Sequence, residues 1–253
     1  TLGGIAGRLI PTGLLDFTGW RGALLGSAAV SAIFAILFVI LLPKQENFRP
    51  KQLHFKAEIR AMINHWRNLE LGLLFLFAFL GMGAFVSMYN FITFRLIHHF
   101  GLPVTLTGLV FLMYLAGTWS SARVGTIINR YGHGKTFVVS AVLYALGIVM
   151  TLGPLPVLLA GMFIFTAGFF AAHSTASGWV GQAAATNRAE ASSMYLLCYY
   201  AGSSAVGAAS GLVFEATSWT GFIAFISCFT VAVIFIGAWL LKSTSRVKEP
   251  VAV

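Results

Sequence analysis

The side chains of this 253-residue chain that could do chemistry are few, and they sit inside long apolar runs. His173 lies in the run 156–181, with Thr166 seven residues before it and Ser177 four after, so the three share one helical face. An imidazole titrates near neutrality and can carry or sense a proton. Facing hydrocarbon it would leave two polar nitrogens unpaired, so it needs a partner, a cavity or a substrate. Two readings stay open: a site residue, or a neutral histidine bonded to a neighbouring helix for packing. Asn90, flanked by Ser87 and Tyr89 in the run 70–94, poses the same question. An amide in a span is expensive unless paired, so Asn90 is expected to face protein, whether a substrate cavity or another helix.

A third group is a stripe. Tyr195, Tyr199, Ser203, Gly207 and Gly211 recur every four residues in the run 191–214. Its tyrosine half is amphipathic aromatic surface, able to stack a planar molecule and donate hydroxyl hydrogen bonds. Its glycine half reads as a seam for close helix approach, and Gly117, Ser121 and Gly125 read as a second. Arg8 completes the set, about 12 Å along a helix from Asp16. It either faces a cavity, where it would favour anions or sugars, or reaches back to the nearer interface.

What is missing narrows the chemistry. Asp16, Glu70, Glu190 and Glu215 stand at the ends of apolar runs, and Glu46, Glu58 and Glu249 lie outside them. H-E-x-x-H, G-x-S-x-G and P-loop patterns are absent, so an enzyme is not expected. Cys198 and Cys228 fall inside apolar blocks without C-x-x-C spacing, so neither a disulfide, a metal nor any cofactor is expected.

The elements that must position these residues follow from composition. With 58% hydrophobic and 9% charged residues, the chain departs far from a soluble domain, where about a quarter of residues are charged. Blocks of about 20 apolar residues span a bilayer as helices, because lipid offers the backbone no hydrogen bonds. The sequence therefore predicts an all-α membrane protein. Its spans are a short run up to Leu15, a full one over 21–42, and six more near 70–94, 104–128, 136–153, 156–181, 191–214 and 219–241. Between 44 and 68 lies a polar stretch with Lys44, Arg49, Lys51, Lys56, Arg60 and Arg67. Within it Phe55, Ile59, Met62, Ile63 and Trp66 fall at helical spacing, which predicts a helix lying on the membrane surface or holding a partner. Counting these cations, 13 of the 16 Lys/Arg residues fall on one side of the alternating path. That asymmetry places the long loop and the tail in the cytoplasm, and it explains the net charge of +9 without nucleic acid.

The turn between the spans 104–128 and 136–153 reads Gly125-x-x-x-Asn129-Arg130-x-Gly132-x-Gly134-Lys135. Gly132 and Gly134 give the reversal its permissive backbone. This turn resembles the loop motif of the major facilitator superfamily in its second-half copy, with Asn129 where the family usually has an acid and Gly134 where a second base is common. The stretches 87–96, 171–181 and 195–204 resemble the acriflavine-sensitivity, YnfM-type branch of that family. The resemblance covers nearly the whole chain and implies a major facilitator fold of which about eight transmembrane helices are present: the end of TM5, TM6, and TM7–TM12. On that reading the first four helices are lacking. Residues 1–43 are then a remnant of the N-terminal bundle, 44–68 a cytoplasmic linker, 69–242 a C-terminal six-helix bundle and 243–253 a cytoplasmic tail. The chain alone is expected not to transport.

The resemblance further implies a secondary transporter of the bacterial inner membrane, monomeric when full length. Small amphipathic molecules would be its substrate, and protons would drive their efflux. An uptake symporter for a sugar or metabolite is the alternative, and a non-transporting scaffold or receptor the reading from another class.

Overall fold

The computed structural model of the chain describes residues 2–43 and 54–246. The Arg8 side chain, the loop cations Lys44, Arg49 and Lys51, and the tail from residue 247 lie outside the described residues. Regular structure among them is entirely helical. The order is α1 (Leu2–Leu41), α2 (Phe55–Asn64) running into a 3-10 turn (His65–Arg67), then α3 (Leu69–His98) and the short α4 (Val104–Thr107). A second 3-10 turn (Gly108–Met113) leads into α5 (Tyr114–Met150), followed by α6 (Leu155–Ala183), α7 (Arg188–Ala216) and α8 (Trp219–Arg246).

Two of these helices reverse direction at a single glycine. Gly19 in α1 (φ 66°) and Gly132 in α5 (φ 82°) occupy the left-handed region that side chains with a Cβ rarely adopt. Contacts with α6 show the reversal in α5. Gly117 faces Phe170 and Ser121 faces Ser174, so residues 108–131 run parallel to α6. Gly147 faces Gly161 and Phe165, and Tyr144 faces Gly168, so residues 133–150 run antiparallel to it. In α1, Gly26 returns to Leu14, folding the helix into a hairpin.

Among the described residues six helices are long and apolar enough to cross a membrane, one of them the continuous stretch Gly108–Met150. Splitting that stretch at Gly132, and adding the arm before Gly19, gives the eight passes expected, the first of them short. The expected corner at 16–21 is the turn at Gly19.

The bundle packs in two layers. At one end rings dominate: Phe85, Tyr89, Phe111, Tyr144, Phe165, Phe169 and Phe222 form a buried cluster. At the other, Ala78, Ala141, Ala172, Ala176, Ala184 and Ala191 let helices close in around Phe77, Phe137 and Trp179. Tyr144 links the layers, its hydroxyl donating to the Gly81 carbonyl at 2.7 Å.

The expected stripe on α2 is present, with Phe55, Ile59, Ile63 and Trp66 on the exposed side. Met62 packs against the small-residue layer, and the Trp66 ring meets Phe75 edge-on at 5.3 Å. His65 Nε2–H donates to the Asn187 carbonyl at 3.1 Å, tying the linker to the start of α7. Asn68 caps α3, accepting from the amides of Glu70 and Leu71, and Glu70 accepts the Trp179 indole N–H at 2.6 Å.

The small-residue seams differ from expectation. Residues four apart drift by about 40° per step around a helix of 3.6 residues per turn. The stripe from Tyr195 to Gly211 therefore winds off the packed face. The buried line on α7 is Tyr195, Cys198, Gly202, Val206 and Ser210. A Cβ built on Gly202 would lie 2.0 Å from the Phe79 carbonyl oxygen, whereas Gly207 and Gly211 make only ordinary contacts. The close approach to α3 is thus made by Gly202, with Gly83 facing Val206 across it. In α5, Gly117 and Ser121 meet α6 as expected, but nothing lies within 4 Å of a Cβ on Gly125. Gly3 and Gly7 likewise touch nothing at that distance and line an open crevice against Ser27 and Ser31 of the same hairpin.

Candidate functional site

His173 sits on α6 about 6 Å from the helix midpoint. It is half-buried, and its Nδ1 lies 2.9 Å from the hydroxyl of Tyr195 on α7. The imidazole stacks on Phe169 one turn earlier, with ring centroids 5.9 Å apart and planes 13° apart. Tyr199 closes the other side at 5.0 Å, and the exposed Tyr200 packs edge-on against Tyr199 at 5.2 Å. The Nε2 of His173 and the Tyr199 hydroxyl have no hydrogen-bond partner among the described residues. The group therefore presents a ring face, an imidazole nitrogen and a phenol at a half-open position within two spans. Such a surface can stack a planar molecule, exchange hydrogen bonds with it, and take up a proton.

The remaining candidates separate into distinct places. Thr166 does not join His173. It is fully buried, donates to the Met162 carbonyl at 2.7 Å, and accepts from the Tyr89 hydroxyl at 2.6 Å. Tyr89 packs among Phe85, Phe111, Tyr114 and Phe165, so this pair is sealed in the aromatic layer. Ser177 is exposed one turn beyond His173.

Asn90 is also exposed, which takes it out of the helix seams and leaves the cavity side of the expectation standing. The buried line of α3 runs through Phe85, Met88, Tyr89, Ile92 and Leu96, and Asn90 falls off it.

In the turn, Gly125, Asn129, Arg130 and Lys135 are exposed, and Arg130 lies over its neighbour Tyr131 at 5.2 Å. Gly132 alone takes the left-handed conformation, while Gly134 is buried within helix.

Phe169 and the Ser121–Ser174 bond (3.1 Å) join the set that sequence reasoning passed over. Phe169 was legible as the residue four before His173; the serine pair had no local pattern to mark it.

Two antiparallel hairpin-linked helices, a six-span bundle and a mid-span aromatic–imidazole face define a helical membrane protein built on the major facilitator fold. The chain belongs to the Major Facilitator Superfamily, whose profile matches residues 1–133 and 73–252. It is similar to the inner membrane transport protein YnfM of Escherichia coli, 40% identical over 242 residues covering 95% of this chain and 58% of that protein. The MFS-type transporter YybF of Bacillus subtilis is 32% identical over 244 residues, 96% of this chain and 60% of its own length. The chain thus spans about 60% of the length of these curated relatives, which are named as transporters rather than enzymes. A crystal structure of a mutant of the nucleoside transporter NupG superposes with a TM-score of 0.71 over 93% of this chain and 64% of that one. At 19% identity that likeness shows the fold alone.

Proposed function

We propose that this chain is part of a secondary active transporter that moves small molecules across the cytoplasmic membrane by alternating access. Residues 69–242 form one rocking bundle, 1–43 belong to the other, and 44–68 link them on the cytoplasmic side, where the C-terminus also lies. The carrying observation is the half-open His173, bonded to Tyr195 and bracketed by Phe169 and Tyr199. An ionisable side chain within a span marks a substrate or proton path by default. An aromatic wall without carboxylates suits a neutral or cationic planar compound, and a histidine that gains and loses a proton suits exchange of that compound for protons. Efflux is the direction that fits the branch of the family to which the sequence is similar. The site comprises His173, Tyr195 and Tyr199, and Gly125, Asn129, Arg130, Gly132 and Lys135 form the turn that shifts as the bundles rock.

The test is flux of a planar fluorescent cation in energised cells expressing the full-length transporter to which this chain belongs, with and without collapse of the proton gradient. Gradient-dependent efflux that His173→Ala removes and Tyr195→Phe weakens supports the reading. Accumulation in place of extrusion turns it towards an uptake symporter. Unchanged behaviour in a properly folded His173→Ala protein overturns it and favours a scaffold.

A further inference from the structure

At the bundle end opposite the 125–135 turn, α3 finishes in a cluster of basic side chains that the proposed transport path does not use. Arg95 and His98 occupy its last turn and His99 its C-cap. They border a pocket of about 200 Å³ whose far wall is Phe214, Thr217 and Trp219. The guanidinium lies 5.5 Å from the Phe100 ring and 5.8 Å from the Trp219 ring. Trp219 is pinned in turn by its indole N–H, which donates to the Thr151 carbonyl at 3.2 Å. His98 stacks beneath Phe94. None of the pocket's lining residues carries a carboxylate.

Cations near the C-terminus of a helix are favoured by its dipole, and that alone explains why basic residues gather here. It does not explain Arg95 Nε. This N–H is buried and meets no acceptor among the described residues. Enclosed by protein atoms, Nε is out of a ligand's reach, but the accessible terminal nitrogens of the same guanidinium also have no hydrogen-bond partner among the described residues, and Arg95 lines the pocket. Guanidinium offers its donors as a planar fork matched to two oxygens of one oxyanion. Two imidazoles at i+3 and i+4 extend the donor set on the same face of the pocket. The volume falls below the ~300–1,000 Å³ usual for drug-sized ligands and suits a small tetrahedral anion.

We propose that this pocket binds a phosphate group, held by Arg95 with His98 and His99 around it. The group comes either from a phospholipid headgroup of the adjacent leaflet or from a dissolved phosphate. The site is independent of the reading of His173.

Calorimetric titration of the delipidated chain in neutral maltoside micelles separates the sources. One arm adds inorganic phosphate, a second adds phosphatidylglycerol, and a third adds diacylglycerol as the phosphate-free control. Saturable heat in the first arm assigns a dissolved ligand; heat in the second alone assigns a lipid headgroup. In whichever arm responds, Arg95→Gln weakens binding at least tenfold. Arg95→Lys, which keeps the charge and lacks the planar guanidinium fork, weakens it about as much, and His98→Gln with His99→Gln weakens it about threefold. Thermal melting checks that each variant folds, and Arg95→Lys with the double histidine variant decides the matter if Arg95→Gln does not. The proposal is overturned if neither phosphate source gives saturable binding, if diacylglycerol binds as well as phosphatidylglycerol, or if Arg95→Lys binds like the parent.

Discussion

Two of the hydrogen bonds that tie α6 to its neighbours sit in opposite surroundings. Tyr89 and Thr166 meet at 2.6 Å with both side chains sealed among phenylalanine rings, and Thr166 also donates onward to a carbonyl of its own helix. His173 and Tyr195 meet at 2.9 Å with the imidazole only half covered and its second nitrogen unpartnered among the described residues. Both bonds join helices. The sealed pair has spent its capacity on the fold, while the open pair keeps a donor, an acceptor and a ring face for something else. Residue type did not distinguish them; access did.

Five substitutions break or sharpen that contrast. The largest effect is expected for His173→Ala, with substrate flux falling about tenfold or more, the equivalent of at least ~1.4 kcal/mol, while the melting temperature holds. If both fall together, the open pair is structural after all. Next comes Gly202→Leu, in the seam that fixes α7, and so Tyr195 and Tyr199, against α3. Backbone lies where the new side chain must go, so thermal melting should report a loss of about 1–3 kcal/mol. Gly207→Ala, with space to spare, should melt like the parent. Tyr89→Phe removes the donor to Thr166 but leaves Thr166 bonded to Met162. It should cost about 0.6–1.5 kcal/mol in melting and change flux less than twofold. A larger loss of flux would place the sealed pair in the transport path. Smallest is Ser177→Ala, expected to shift stability by less than ~0.5 kcal/mol and flux by less than twofold. A greater flux defect would extend the open site one turn along α6.

Much of the fold was legible because lipid imposes a strong code. Apolar runs, the charged turn around Gly132 and the amphipathic period from Phe55 to Trp66 each follow from a local physical requirement. The site was half legible. His173 and Tyr195 stood out for their polarity within apolar runs, but nothing in a span of 22 residues states that their side chains meet. The four-residue stripe misled because four is not 3.6: it drew attention to Gly207 and Gly211, when the tight contact is at Gly202. Asn90 was legible only in part. Its cost in a span argues for a partner, yet helix phase, set by Phe85, Met88, Ile92 and Leu96, turns it to the surface. Thr166 was grouped with His173 by helical face, and a tyrosine on another helix claimed it.

The reversal at Gly132 bears on how the molecule is made. One left-handed residue joins residues 108–131 to residues 133–150, with no loop between the two rods. The two rods are bound to opposite directions by that one residue, so the orientation of the second follows from that of the first. An alanine at that position would place its strain at the one residue that sets two of the bundle's six spans against each other.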